Sequence, residues 1–182
     1  MFGGKMTWEQ SLLEKVILLI LTAPLTGFGF PYILKRVEER KQREAKIFEA
    51  QAKLLDDLSQ LLWNWRYLAK KVVYYGAQKN LARYDLARKE YDEKIWDLLN
   101  EFRTEISRSR RLVSENAYEN LETLYNYIVR DFDAKISELI QQDNPNVETA
   151  KELANRFSTE VSKTIDDAID DLASELHLKV KT

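Results

Sequence analysis

Val16 to Leu34, VILLILTAPLTGFGFPYIL, is a run of nineteen residues without a formal charge in a chain of 182 that is 32% charged. As a helix it rises about 28 Å, close to the ~30 Å hydrocarbon thickness of a bilayer. The run is therefore expected to be a membrane segment, marked by Val16, Leu19, Leu21, Pro24, Gly27, Phe28, Phe30, Pro31 and Leu34. Trp8 on one side and Tyr32 on the other carry amphipathic rings that favour the headgroup region, and Lys35 and Arg36 follow at once. These four are the expected interfacial anchors. Pro24 and Pro31 each remove a backbone donor, and Gly27 loosens the helix, so a kink at Pro24 and a break between Gly27 and Pro31 are expected.

A cleaved signal peptide fits poorly, because the leader carries Glu9 and Glu14 and no A-x-A site follows. Lys and Arg set orientation by staying on the cytoplasmic side. Seven basic residues lie between Lys35 and Lys53, against Lys5 and Lys15 before the segment. The expected localisation is a membrane, single-pass, with the N-terminus outside and the C-terminal domain cytoplasmic.

The division that follows is a leader over 1–15, the membrane segment over 16–34, a charged stalk helix over 35–46 and a helical bundle over 47–182. Of five glycines and three prolines, six lie at or before Pro31, leaving only Gly76 and Pro145 as later breakers. Long helices are expected, and the fold class is all-α: an N-terminal membrane-associated helix followed by an elongated antiparallel four-helix bundle.

The first long helix should run to Tyr75 with a heptad seam of Ile47, Gln51, Leu54, Leu58, Leu61, Trp65, Leu68, Val72 and Tyr75, a coiled-coil-like spacing, and stop at Gly76. The second, about Leu81 to Val113, carries Tyr84, Tyr91, Ile95, Leu98, Phe102, Ile106 and Leu112 on one stripe. The third starts near Asn116, capped by it, with Leu121, Leu124, Ile128, Phe132, Ile136 and Leu139 inward. The fourth follows Asp143-Asn144-Pro145-Asn146, with Asn144 capping and Pro145 in the first helical position, and buries Ala150, Leu153, Phe157, Val161, Ile165, Ala168, Leu172 and Leu176.

Little here supports catalysis. The single histidine, His177, lies in the last turn with Ser174 where a di-iron motif would place glutamate. With no cysteine there is neither a thiolate site nor a disulfide. No enzyme, cofactor, metal or small-molecule substrate is expected, and a net charge of −2 gives no pull towards nucleic acid. The acidic cluster Asp166, Asp167, Asp170 and Asp171 reads first as a solvated face and second as a patch for a basic partner.

Four large aromatics miss the seams: Trp63, Tyr67 and Tyr74 on the first helix and Trp96 on the second. Rings of this size outside a core mark protein interfaces. The reading is a non-enzymatic, membrane-anchored interaction or scaffold protein. Its partners would be the lipid bilayer and either an unidentified protein or a second copy. The alternative is a membrane-perturbing or pore-forming effector whose Pro/Gly-broken segment oligomerises under control of the bundle.

Overall fold

The computed structural model describes Lys15 and residues 30–178, with Phe30 and Pro31 as backbone only. Trp8, Val16, Leu19, Leu21, Pro24, Gly27 and Phe28 lie outside the described residues. No helix among the described residues is long and apolar enough to cross a membrane.

All described secondary structure is helical. Helix α1 is Phe30–Ala77 and α2 is Leu81–Ser109. The third rod consists of α3 (Glu115–Asn126), a π-helical stretch (Tyr127–Asp133) and α4 (Ala134–Ile140). The fourth consists of α5 (Val147–Arg156), a second π-helical stretch (Phe157–Val161) and α6 (Ser162–Glu175). By contacts the chain forms two compact units, Met1–Ile47 and Phe48–Thr182.

In the first unit, the described part of α1 is exposed throughout from Tyr32. Its charges pair locally, as in the i,i+4 bridge of Arg40 to Glu44 at 3.0 Å. Such exposed pairs contribute about 0.3–0.5 kcal/mol each.

The second unit is a four-helix bundle whose neighbouring rods run antiparallel, as the cross-links require. Between α1 and α2, Asp57 meets Arg108 at 3.8 Å and Lys71, further along α1, pairs with Glu90, while Gln51 donates to the carbonyl of Leu112 just past the end of α2 at 2.7 Å. From α2 to the third rod, Arg103 meets Glu122 at 2.8 Å and the Tyr84 hydroxyl donates to the Leu139 carbonyl at 2.7 Å. Between the third and fourth rods, Glu175 accepts from the Ser114 N–H at 2.8 Å, and the Tyr127 hydroxyl donates to Glu160 at 2.8 Å.

The core runs the length of this unit and centres on Trp65, Tyr84, Tyr91, Phe102, Phe132 and Phe157. Trp65 stacks on Phe157 at 5.8 Å and meets the edge of Phe132 at 6.0 Å, and those two phenylalanines touch at 5.3 Å. Phe132 lies in the first π stretch and Phe157 in the second, so both widened turns meet the same indole. The six expected inward residues of the third rod are all buried; in the fourth, seven are buried and Ala168 is half-buried.

The α1 seam needs correction. Ile47 is 52% exposed, and Leu62, Ala69 and Val73 join the core while Leu61 is only half-buried. A strict a/d stripe serves one facing helix; a helix enclosed by several neighbours buries a wider arc.

The helix ends also differ from expectation. Gly76 lies inside α1 and has no positive φ; Lys79 takes the left-handed conformation at φ 57°. The Asn80 N–H reaches the Tyr75 carbonyl at 3.2 Å and the Lys79 N–H the Gly76 carbonyl at 3.3 Å, a Schellman arrangement. What requires glycine at 76 is close packing: a Cβ there would lie 3.2 Å from the Ala150 Cβ and 3.4 Å from the Tyr84 ring.

Ser114 caps α3, accepting from the Ala117 N–H, in place of Asn116. Asn146 caps α5, accepting from the Glu148 and Thr149 N–H groups, in place of Asn144, and Pro145 precedes the cap and is buried. At the end of the fourth rod His177 adopts φ 55° with Leu178 N–H on the Ala173 carbonyl at 2.9 Å, a second Schellman closure.

Candidate interaction surface

At 100° per residue, positions 63, 67, 70 and 74 fall on one side of α1, half a turn away from Leu58, Trp65 and Val72. Trp65 is 1% exposed, whereas Trp63, two residues before it, is 61% exposed, Tyr67 60% and Tyr74 48%. The local sequence thus builds a second stripe of spacing four, three, four (Trp63, Tyr67, Lys70, Tyr74) on the outside of a helix whose inner seam is already filled.

Cations flank these rings. The Arg66 guanidinium lies 5.0 Å over Trp63, and the Lys71 ammonium 4.9 Å over Tyr67. Both cations are held from behind: Arg66 reaches Asp166 at 3.2 Å, and Lys71 pairs with Glu90 on α2. The hydrogen bond from Lys71, seconded by one from Lys94, holds the Glu90 carboxyl below its ordinary pKa, and the same bond to Glu90 raises the Lys71 ammonium. Trp63 and Tyr67 are thereby each braced by a cation that is itself paired to a carboxylate. Lys70 is exposed between Tyr67 and Tyr74 and forms no ion pair with any described residue.

Tyr67 borders a shallow groove of about 410 Å³ between α1 and α2, together with Asn64, Lys94, Asp97 and Glu101. Tyr74 packs edge-on against Tyr75 at 5.4 Å. Trp96, 74% exposed, borders a different groove, of about 680 Å³, between α2 and the third rod. Three of the four aromatics singled out in the sequence therefore share one stripe and the fourth stands apart from it.

Asp133, which borders the Trp96 groove, belongs to a pair that sequence reasoning missed. The buried Tyr91 hydroxyl donates to Asp133, the last residue of the first π stretch. Burial raises the Asp133 carboxyl above the ordinary aspartate value, opposed by that hydrogen bond, and burial drives the Tyr91 phenol well up. The Trp65 indole N–H approaches the Tyr91 oxygen without reaching hydrogen-bond geometry and has no other partner among the described residues. The sequence offered no signal here, since Asp133 is one of many acids and Tyr91 reads as a seam residue.

Asp166, Asp167, Asp170 and Asp171 are exposed, with Asp166 bridged to Arg66. His177 is exposed at its helix end. Tyr32, Leu34, Lys35 and Arg36 are exposed on the opening turns of α1, with the Arg36 guanidinium 5.0 Å over the Tyr32 ring. Among the described residues no group of three or more His, Asp or Glu is placed to hold a metal ion. The chain matches no family model, no curated protein and no solved structure.

Proposed function

We propose that this chain is a non-enzymatic, membrane-tethered interaction protein that offers the outer face of α1 to a protein partner or to a second copy of itself. The uncharged run from Val16 to Leu34 holds it in the bilayer as a single span, N-terminus outside, and the bundle works on the cytoplasmic side. The observation that carries this reading is the pairing of opposite fates on one helix: Trp65 fills the core, while Trp63, Tyr67 and Tyr74 stand open in a heptad-spaced row. Rings in such a row receive a partner helix as knobs enter holes, and large aromatics contribute heavily to interface energy.

A photo-crosslinking residue at Tyr67 in native membranes tests it. Discrete adducts from position 67, absent from an exposed control position such as Lys151 and weakened by Trp63→Ala, are expected. An adduct pattern identical at both positions contradicts the reading. Dye leakage from vesicles that depends on residues 16–34 would favour the effector alternative, for which the Pro24, Gly27 and Pro31 breaks speak.

A further inference from the structure

The first turns of α1 carry a second patterned stripe. Tyr32, Ile33, Arg36, Val37, Glu39, Arg40 and Arg43 line one shallow groove on a single side of the helix, three cations against one carboxylate. Ile47 continues that side one turn further on. All eight are exposed. Arg40 pairs with Glu44, and Arg36 and Arg43 form no ion pair with any described residue. The opposite side presents Glu38, Gln42 and Ala45, with Leu34 its one large apolar residue.

Arginines interleaved with aliphatic and aromatic residues on one side of a helix suit a specific kind of surface. A nucleic-acid backbone rewards the guanidiniums and leaves Ile33, Val37 and Ile47 in water. A lipid headgroup layer satisfies both: apolar residues enter the acyl boundary, and guanidiniums snorkel to phosphates, which they bind bidentately. The stripe also begins where the uncharged run ends.

We infer that residues 32–47 lie along an anionic phospholipid surface. Arg36, Arg40 and Arg43 sit on lipid phosphates, and Tyr32, Ile33, Val37 and Ile47 dip into the headgroup boundary. This rests on the tether proposed above and replaces the expected free-standing stalk with a helix that reads the charge of its own membrane.

Because the chain has no cysteine, Ile47→Cys and Ala45→Cys each accept one environment-sensitive fluorophore, the first on the stripe and the second nearly half a turn away from it. The labelled full-length chain is reconstituted in vesicles of phosphatidylcholine alone or with phosphatidylserine. The expected result is a blue-shifted emission at position 47 in the phosphatidylserine vesicles and water-like emission at 45 in both. At about fivefold per basic residue near an anionic surface, the Arg36→Gln, Arg40→Gln, Arg43→Gln variant should lower occupancy of the bound state roughly a hundredfold. A chain that floats with vesicles but shows position 47 as wet as 45, or equally dry without phosphatidylserine, overturns the inference and leaves the tether standing. A chain that floats with neither vesicle removes both.

Discussion

Gly76 shows how one residue type serves different ends. Alanine there would add helix propensity of about 1 kcal/mol. Its Cβ would press on the Ala150 Cβ, which is fixed to a helix backbone, and on the Tyr84 ring, which is held by its bond to the Leu139 carbonyl. Overpacking of this kind costs about 1–3 kcal/mol, so Gly76→Ala is expected to lower stability by about 1 kcal/mol net, read in a denaturant melt. A gain in stability would mean that Ala150 yields freely. The sequence marks a glycine near a helix end, and the usual meaning of that signal is a left-handed cap; only the packing of α1 on α5 reveals the other meaning.

Asp133 makes a second prediction, with a definite sign. Its folded carboxyl titrates above the ordinary aspartate value because burial disfavours the charge. Between the ordinary and the raised value the native state holds more protons than the unfolded chain, so this group's contribution to stability declines as pH rises through that window. Asp133→Asn keeps an acceptor for the Tyr91 hydroxyl and removes the decline. The variant should gain on the parent as pH rises above the ordinary aspartate value and converge with it in acid. Glu90 has the opposite sign: its lowered pKa gives stability present at neutral pH and lost as pH falls through its folded value. A variant-minus-parent curve flat with pH would show that Asp133 is solvated.

At the scale of the helices, much was legible because buried periodicity is written directly in the residues. Leu121, Leu124, Ile128, Phe132, Ile136 and Leu139 are all inside, as their spacing requires. The π stretches were not legible. Steps of four from Leu124 to Ile136 suit a widened turn, but Ala87, Tyr91, Ile95 and Leu99 in α2 show the same steps and stay α-helical. Phe132 and Phe157, one from each π stretch, converge on Trp65, a contact between three rods that no single stretch encodes. Caps were legible in kind and misplaced in position, because Asn144 and Asn146 flank the same proline and either can accept. The structure chooses Asn146, with two N–H donors on its side chain. Asn146→Ala should cost about 1 kcal/mol and Asn144→Ala close to nothing in thermal unfolding. Equal costs would move the cap back to Asn144.

For the molecule as a whole, the account separates what folds the bundle from what the bundle offers. The core closes with Trp65 and its ring partners, while the row containing Trp63 and Tyr67 lies outside it. The sequence showed that these aromatics miss the seam because their spacing places them half a turn away. It did not show that Trp96 belongs to another groove, since that depends on how α2 meets the third rod. The most direct test compares thermal melts of the Trp63→Ala, Tyr67→Ala double variant with Trp65→Ala. The double variant should melt within about 2 °C of the parent, and Trp65→Ala, losing about 3–5 kcal/mol of core packing, should fall by about 10 °C or more. If the double variant collapses as far as Trp65→Ala, the outer row is part of the core and the interaction surface does not exist.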